Sequence, residues 1–170
     1  FGCFANVTKI NEEVLDAWAA ILKAVPDSRL FLKTQAFGGE SARTHFKGYF
    51  SARGIDASRV DLAGHTPAAR DHLGSYAKVD IALDTFPAGS AATACEALHM
   101  GVPVVTFRGK AHAGRVVASI MTAAGLKELV ADSSEAYTKL ATGLARDKAK
   151  LASMRTTLRP QLASTPLCDA

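Results

Sequence analysis

Residues 72–101, which read HLGSYAKVDIALDTFPAGSAATACEALHMG, predict a strand, an open loop and a helix in quick succession. Residues 79–83 form a short apolar, β-branched run with the length of a buried strand. Residues 86–90 cannot continue a strand or a helix, because their proline lacks an N–H and their glycine frees the backbone. Helix-forming residues then run through 91–100, and Gly101 ends them.

A loop of this kind in a parallel α/β sheet lies at the carboxyl ends of the strands. The helix that follows directs its free N–H groups and its positive dipole end at the crevice there. An anion fits such a place, and a phosphate fits best. The candidate phosphate-binding residues are therefore Gly89, Ser90, Ala91, Ala92 and Thr93, and the Thr93 hydroxyl adds a side-chain donor in the first helical turn.

Strand-like and helix-like segments alternate from end to end, which is the pattern of a doubly wound parallel sheet and predicts the α/β class. Strands are predicted at residues 1–5, 29–33, 60–63, 79–83, 103–106 and 129–131. Helices are predicted at residues 12–24, 41–53, 70–77, 91–100, 115–124, 134–144 and 148–158, the last of them ending before Pro160. A chain of 170 residues, 48% of them hydrophobic, suffices for one domain with one core.

Composition excludes several classes of protein. The net charge of +4 comes from dispersed basic residues mixed with acids, which favours a solvated surface over a nucleic-acid interface. No apolar run approaches the roughly 20 residues that span a bilayer. Three widely spaced cysteines predict neither a disulfide framework nor a zinc site, so a reducing, cytoplasmic setting is expected. ATPases and dinucleotide oxidoreductases are disfavoured, because their glycine-rich phosphate motifs do not occur.

A long motif carries a family resemblance. HLxxYxxVDIALDTFP, a small-residue loop and then TxCEALxMGVPVVT closely resemble the C-terminal half of the catalytic region of O-GlcNAc transferases, SPINDLY-like proteins and their bacterial relatives. Further matches extend from Phe4-Ala5-Asn6 and Lys9-Ile10 to residues 164–169, so the resemblance covers essentially the whole chain. It implies that residues 1–170 are a single Rossmann-like, nucleotide-sugar-binding domain. This domain would be one lobe of a GT-B type glycosyltransferase and a fragment of a larger two-lobe enzyme.

Lys9 is the candidate catalytic residue. It follows the first predicted strand, so it lies on the same rim as the phosphate loop, where a lysine offsets the charge of a departing diphosphate. By residue type alone Lys9 is an ordinary exposed lysine; the resemblance implies contact with the donor diphosphate, with Asn6 as an amide nearby. Ala91 and Ala92 stand where relatives often carry threonines. This departure leaves open a non-catalytic nucleotide-binding or interaction module.

Glu96 and His72 are the candidates for the nucleoside. Glu96 lies one helical turn after the phosphate loop, and a carboxylate can accept both hydroxyls of a ribose diol; the alternative is an acid that complements the helix dipole. The resemblance places His72 against the nucleotide, where an imidazole stacks on a base or donates to a phosphate; the alternative is a structural histidine. Pro67, Ala68 and Ala69 align with a loop whose backbone reads the base edge.

The implied reaction transfers N-acetylglucosamine from UDP-GlcNAc to Ser or Thr hydroxyls of proteins with inversion, and UDP is the product. The resemblance implies no cofactor or metal besides this donor substrate. It assigns the acceptor groove, the general base and a helical-repeat domain to an N-terminal part of the enzyme. The residues leave open UDP-GlcNAc, UDP-glucose or a GDP-sugar as donor.

Overall fold

A computed structural model describes residues 1–168; Asp169, which ends the last matched segment, and Ala170 lie outside the described residues. The strands are β1 (Gly2–Cys3), β2 (Leu30–Lys33), β3 (Val60–Ala63), β4 (Ala82–Leu83), β5 (Val104–Phe107) and β6 (Val130–Ala131). They form one parallel sheet in the order β3-β2-β1-β4-β5-β6. The predicted Rossmann-like α/β class is confirmed, and the strand order reverses between β1 and β4.

Helices cover the sheet. They are α1 (Glu12–Ala24), α2 (Glu40–Ser51), α3 (Ala69–Gly74), α4 (Ala91–His99), α5 (Val116–Ala123), α6 (Ser134–Arg146) and α7 (Lys148–Ala163). Helix α1 packs against α6, and α4 packs against α5 and α7. Strand β2 is buried along its whole length. Cover on both faces explains why the sequence shows short continuous apolar runs instead of alternation.

The N-terminus of α1 shows how the sequence specifies a helix. The side chain of Asn11 accepts a hydrogen bond of 2.9 Å from Val14 N, and two acids occupy the first turn. This cap satisfies a backbone donor that the helix itself leaves free. The apolar face of α1 is buried, and Trp18 on it is wholly inaccessible, as its spacing predicts.

A buried pair of side chains joins α1, α6 and the end of β4. Trp18 Nε1 donates to the Tyr137 hydroxyl at 3.1 Å, and that hydroxyl donates to the carbonyl oxygen of Asp84 at 2.9 Å. Burial raises the pKa of the Tyr137 phenol well above its ordinary value, so the group remains a neutral donor. Each polar atom of this core contact therefore has a partner.

Helix α7 is longer than predicted. It continues through Pro160 to Ala163, whereas an end before the proline was expected. A proline inside a helix removes one backbone hydrogen bond. Two contacts beyond it offset that loss, because Leu162 is buried and Gln161 Nε2 donates to the carbonyl oxygen of Ala124 at 2.8 Å.

Strands β1 and β4 and helix α3 are shorter than predicted, and β1 keeps only Gly2–Cys3 of the predicted residues 1–5. Gly2 N donates to the carbonyl oxygen of Ile81 at 3.0 Å, but residues 79 and 80 lie outside the ladder. The Val79 side chain occupies the space directly over the Gly2 Cα, where only a glycine leaves room for it. The helix predicted at residues 70–77 ends at Gly74 and continues as a 3₁₀ turn over Ser75–Lys78.

We expect Tyr137→Phe to lower the free energy of unfolding by about 1–3 kcal/mol, because it leaves the Trp18 N–H and the Asp84 carbonyl buried without partners. Chemical denaturation measures the change. Tyr49→Phe is the control: its hydroxyl also makes hydrogen bonds, to Glu12, Asp16 and Arg53, but at a half-buried surface position. Equal losses for the two variants would contradict the assignment.

Candidate functional site

The buried carboxylate of Asp84, directly after β4, organises the loop that leads into α4. Its Oδ1 accepts from Ser90 N at 2.9 Å, and its Oδ2 accepts from the Thr106 hydroxyl at 2.7 Å. Burial raises the pKa of this carboxyl, and the hydrogen bonds from Ser90 and Thr106 oppose that shift. The start of α4 is thereby tied to both β4 and β5.

Side chains from the segment after β1 also hold the loop. Asn11 Nδ2 donates to the carbonyl oxygen of Phe86 at 2.9 Å, and Lys9 Nζ donates to the carbonyl oxygen of Gly89 at 2.7 Å. The structure therefore brings Lys9 to the predicted phosphate loop. An ammonium has three N–H donors, and this contact uses one of them.

Backbone contacts from the loop after β5 also hold the loop between β4 and α4. Gly89 N lies 3.4 Å from the carbonyl oxygen of Ala113, and Gly109 N donates to the carbonyl oxygen of Gly114 at 2.8 Å. At Gly114 a Cβ would overlap the carbonyl oxygen of Pro87. Two loops therefore meet backbone to backbone with no side chain between them.

The first turn of α4 presents free backbone donors. The Thr93 hydroxyl donates to the carbonyl oxygen of Ser90 at 3.0 Å, and Ser90 supplies no side-chain cap. Within residues 1–168, the amides of Ala91, Ala92 and Thr93 donate no hydrogen bond. These amides and the positive end of the helix dipole follow directly after Gly89, whose carbonyl oxygen accepts from the Lys9 ammonium.

A second group, of four side chains, includes Glu96 of α4 and has His72 at its centre. His72 Nδ1 lies 2.8 Å from Lys33 Nζ, and His72 Nε2 lies 3.1 Å from Glu96 Oε2. Tyr76 donates its hydroxyl to the same Oε2 at 3.0 Å. Among the described residues Glu96 Oε1 accepts no hydrogen bond. Both ring nitrogens of His72 are engaged, so only the ring face is available to a ligand.

The cluster of Lys33, His72, Tyr76 and Glu96 is built around Phe4. The Phe4 ring centroid lies 4.1 Å from that of Tyr76 and 5.7 Å from that of His72, and the Lys33 ammonium is 5.8 Å from it. Burial lowers the pKa of Lys33, and the charge of Glu96 opposes that shift. Burial and Glu96 together raise the pKa of Tyr76, so its hydroxyl keeps its proton.

Two of the remaining predicted site residues contact Lys9 and His72 through the backbone: the carbonyl oxygen of Asn6 accepts from Lys9 N and that of Ala68 accepts from His72 N, both at 3.0 Å. Asn6 is exposed, and its side chain accepts from Thr8 N at 3.0 Å instead of facing Lys9. Pro67 and Ala68 follow β3, and Ala69 begins α3. All three are exposed at the carboxyl ends of the strands.

Sequence reasoning did not identify Lys33, Tyr76 or the carboxylate of Asp84. Each carried a signal: a lysine ending a buried apolar strand needs a partner, and a tyrosine four residues after His72 shares its helix face. Asp84 served only as the end of a predicted strand. A buried aspartate at that position needs donors, and the loop supplies one.

The described residues hold no group of three or more His, Cys, Asp and Glu that could bind a metal ion. Over the same range, no helix is both long and apolar enough to cross a bilayer. Cys3 is buried, and burial raises the pKa of its thiol to about 12, so it is not a thiolate nucleophile.

A parallel sheet whose strand order reverses, with helices on both faces, defines the Rossmann-like α/β class. The family model described as glycosyl transferase family 41 matches residues 1–170. The chain belongs to that family, which confirms the resemblance found in the motifs.

Individual relatives agree with this membership. The chain is 44% identical over 169 residues to a protein of Petunia hybrida named probable UDP-N-acetylglucosamine–peptide N-acetylglucosaminyltransferase SPINDLY, covering 99% of this chain and 18% of that protein. It is 33% identical over 166 residues to the UDP-N-acetylglucosamine–peptide N-acetylglucosaminyltransferase of Caenorhabditis elegans, covering 98% of this chain and 14% of that protein. The chain thus spans under a fifth of the length of these relatives.

A solved structure matches the fold. It is a mutant of the Thermobaculum terrenum O-GlcNAc transferase, which superposes with a TM-score of 0.92 at 41% identity, covering 96% of this chain and 31% of that chain. The predicted GT-B type lobe is therefore confirmed as the fold class.

We expect Gly89→Ala to destabilise the protein by about 1–3 kcal/mol, because a Cβ there would lie 2.6 Å from Asp84 Oδ2 and 2.8 Å from Val117 Cγ2. Thermal and chemical denaturation measure the change. Gly143→Ala in α6 is the matched control, since nothing lies within 4 Å of its added Cβ. Removing a glycine from a helix interior gains about 0.5–1 kcal/mol. A Gly89→Ala protein as stable as the wild type would refute the close approach.

Proposed function

We propose that this chain is the donor-binding lobe of a protein O-glycosyltransferase and that its loop cradles the diphosphate of UDP-GlcNAc. The observation that carries the proposal is the convergence of the Lys9 ammonium, 2.7 Å from the carbonyl oxygen of Gly89, with the unpaired amides that begin α4. A positive charge and oriented N–H donors at a helix N-terminus suit a diphosphate. The names of the relatives, which include UDP-N-acetylglucosamine, support the choice of donor.

In this proposal, mainly backbone groups bind the phosphates. Ala91 and Ala92 offer free amides, Gly89 and Ser90 shape the loop through their own hydrogen bonds, and Thr93 adds its hydroxyl by turning away from the carbonyl oxygen of Ser90. Because backbone donors do not depend on side-chain identity, the alanines at 91 and 92 preserve them. Lys9 then offsets the charge that develops on the departing UDP, which makes it the catalytic residue of this lobe.

The nucleoside would lie along α4 from the phosphates. Glu96 Oε1 accepts no hydrogen bond within the described residues and suits a ribose hydroxyl. The ring face of the half-buried His72 suits stacking on the base. The backbone of Pro67, Ala68 and Ala69 reads the base edge in this proposal, and Asn6 lies beside the diphosphate.

The reaction in this proposal moves N-acetylglucosamine to a Ser or Thr hydroxyl with inversion, and needs no metal or further cofactor. A second lobe supplies the acceptor groove and the general base, and a helical-repeat domain binds protein substrates; the greater length of the relatives supports both. Residues 1–170 form one domain of that enzyme. Its location is cytoplasmic, as the widely spaced cysteines suggest, and neither nucleic acid nor membrane is a partner.

We expect the chain to bind UDP more tightly than uridine, and Lys9→Ala to remove most of that difference. The loss should be about 1.5–3 kcal/mol, the range for a hydrogen bond to a charged group. Isothermal titration calorimetry measures all four affinities. Lys47→Ala, which removes an exposed lysine of α2, is the control. Equal affinities of the wild type for UDP and uridine would overturn the diphosphate cradle.

We expect Glu96→Gln to weaken UDP binding by about 1–3 kcal/mol and to weaken binding of 2′,3′-dideoxy-UDP much less. The variant keeps the shape of the side chain and removes its charge. Comparing the two ligands isolates the ribose contact from any change in the cluster. If both ligands lose the same free energy, Glu96 does not bind the ribose.

A further inference from the structure

Lys33 is the member of the cluster to which the proposed function assigns no role. It ends β2, only 6% of its surface is exposed, and its ammonium lies 2.8 Å from His72 Nδ1. Lysines are almost never buried to this extent without a partner. A carboxylate is the usual partner, but here the direct partner is an imidazole nitrogen, and the carboxylate of Glu96 stands on the far side of the ring.

The short contact determines where the protons are. An ammonium has only N–H donors, so His72 Nδ1 can accept from it only if Nδ1 carries no proton. An alkylamine is ordinarily a much stronger base than an imidazole; burial lowers the pKa of Lys33 but the charge of Glu96 opposes that shift, so the proton between the two nitrogens stays on Lys33. The Phe4 ring, 5.8 Å from the ammonium, also favours the cation.

The same assignment satisfies the other side of the ring. With Nδ1 as acceptor, the hydrogen of neutral His72 lies on Nε2 and points at Glu96 Oε2, 3.1 Å away. The opposite tautomer would place the Nε2 lone pair against the carboxylate and repel it. The Tyr76 hydroxyl donates to the same oxygen at 3.0 Å, so two donors hold Oε2 and leave Oε1 open.

We infer that Lys33 is a positioning residue: by donating to His72 Nδ1 it holds the imidazole in its Nε2–H tautomer, which in turn holds Glu96 in place for the ribose of the donor. Lys33 acts through His72 and does not touch the nucleotide. The inference rests on the proposed function, which assigns the ribose to Glu96. The contacts run from the buried Lys33 ammonium through the neutral His72 ring to the Glu96 carboxylate.

Nitrogen-15 NMR of histidine side chains in the ligand-free chain tests the tautomer, because protonated and unprotonated ring nitrogens have distinct shifts. The signals of His72 are assigned by their loss in His72→Gln. We expect the wild type and Lys33→Arg, which keeps a cationic donor, to show the Nε2–H tautomer. Lys33→Met should show a mixture of tautomers, whereas Lys47→Met should match the wild type.

Calorimetry on the same variants tests the consequence for binding. Lys33→Met should bind UDP on the order of tenfold more weakly, with a much smaller change for 2′,3′-dideoxy-UDP, and Lys33→Arg should recover most of the loss. A proton on His72 Nδ1 in the wild type would overturn the inference whether or not Lys33→Met folds. Unchanged UDP binding by Lys33→Met would overturn it as well. A wild type without affinity for UDP would instead overturn the proposed function.

Discussion

The buried carboxylate of Asp84 connects the sheet, the loop and the helix that the site requires. One oxygen accepts from Ser90 N at the start of α4, the other from the Thr106 hydroxyl on β5, and the carbonyl of the same residue accepts from Tyr137. Burial makes an ionised carboxylate costly, and the donors that offset this cost are the atoms whose positions define the loop. The loop conformation is therefore determined by interactions inside the protein, and a rim residue such as Lys9 contacts a segment that is already held.

Helix α4 holds the two proposed ligand contacts at a fixed separation. Its first turn offers free amides, and one turn later Glu96 offers an oxygen. Because each residue of a helix adds about 1.5 Å along the axis, the positions proposed for the diphosphate and the ribose cannot move independently. The charges are divided in the same way. Lys9 lies at the start of the helix, and the positive charge of the buried Lys33 offsets the negative charge of Glu96 one turn later. A ligand that is anionic at one end and neutral and hydroxylated at the other matches this arrangement.

The sequence predicted the order of elements well because short β-branched runs, caps such as Asn11 and stop signals such as Gly101 are local properties. It also predicted His72 and Glu96 as candidate site residues, and the structure brings their side chains within 3.1 Å of each other. Lys33 escaped prediction because its partner is 39 residues away, and only the folded sheet brings the two together. The full length of α7 was not predicted for a related reason. The residues after Pro160 are held by tertiary contacts, which local helix propensity does not include.

The contact between the loops after β4 and β5 has a consequence for the thermodynamics of ligand capture. Because Gly114 and Pro87 meet backbone to backbone, neither loop can move closer to the other at this point. A ligand that binds as proposed meets a loop that is already ordered, so the loop loses little conformational entropy on binding. The heat-capacity change of such an association reflects the apolar surface covered by the ligand rather than coupled folding of the loop.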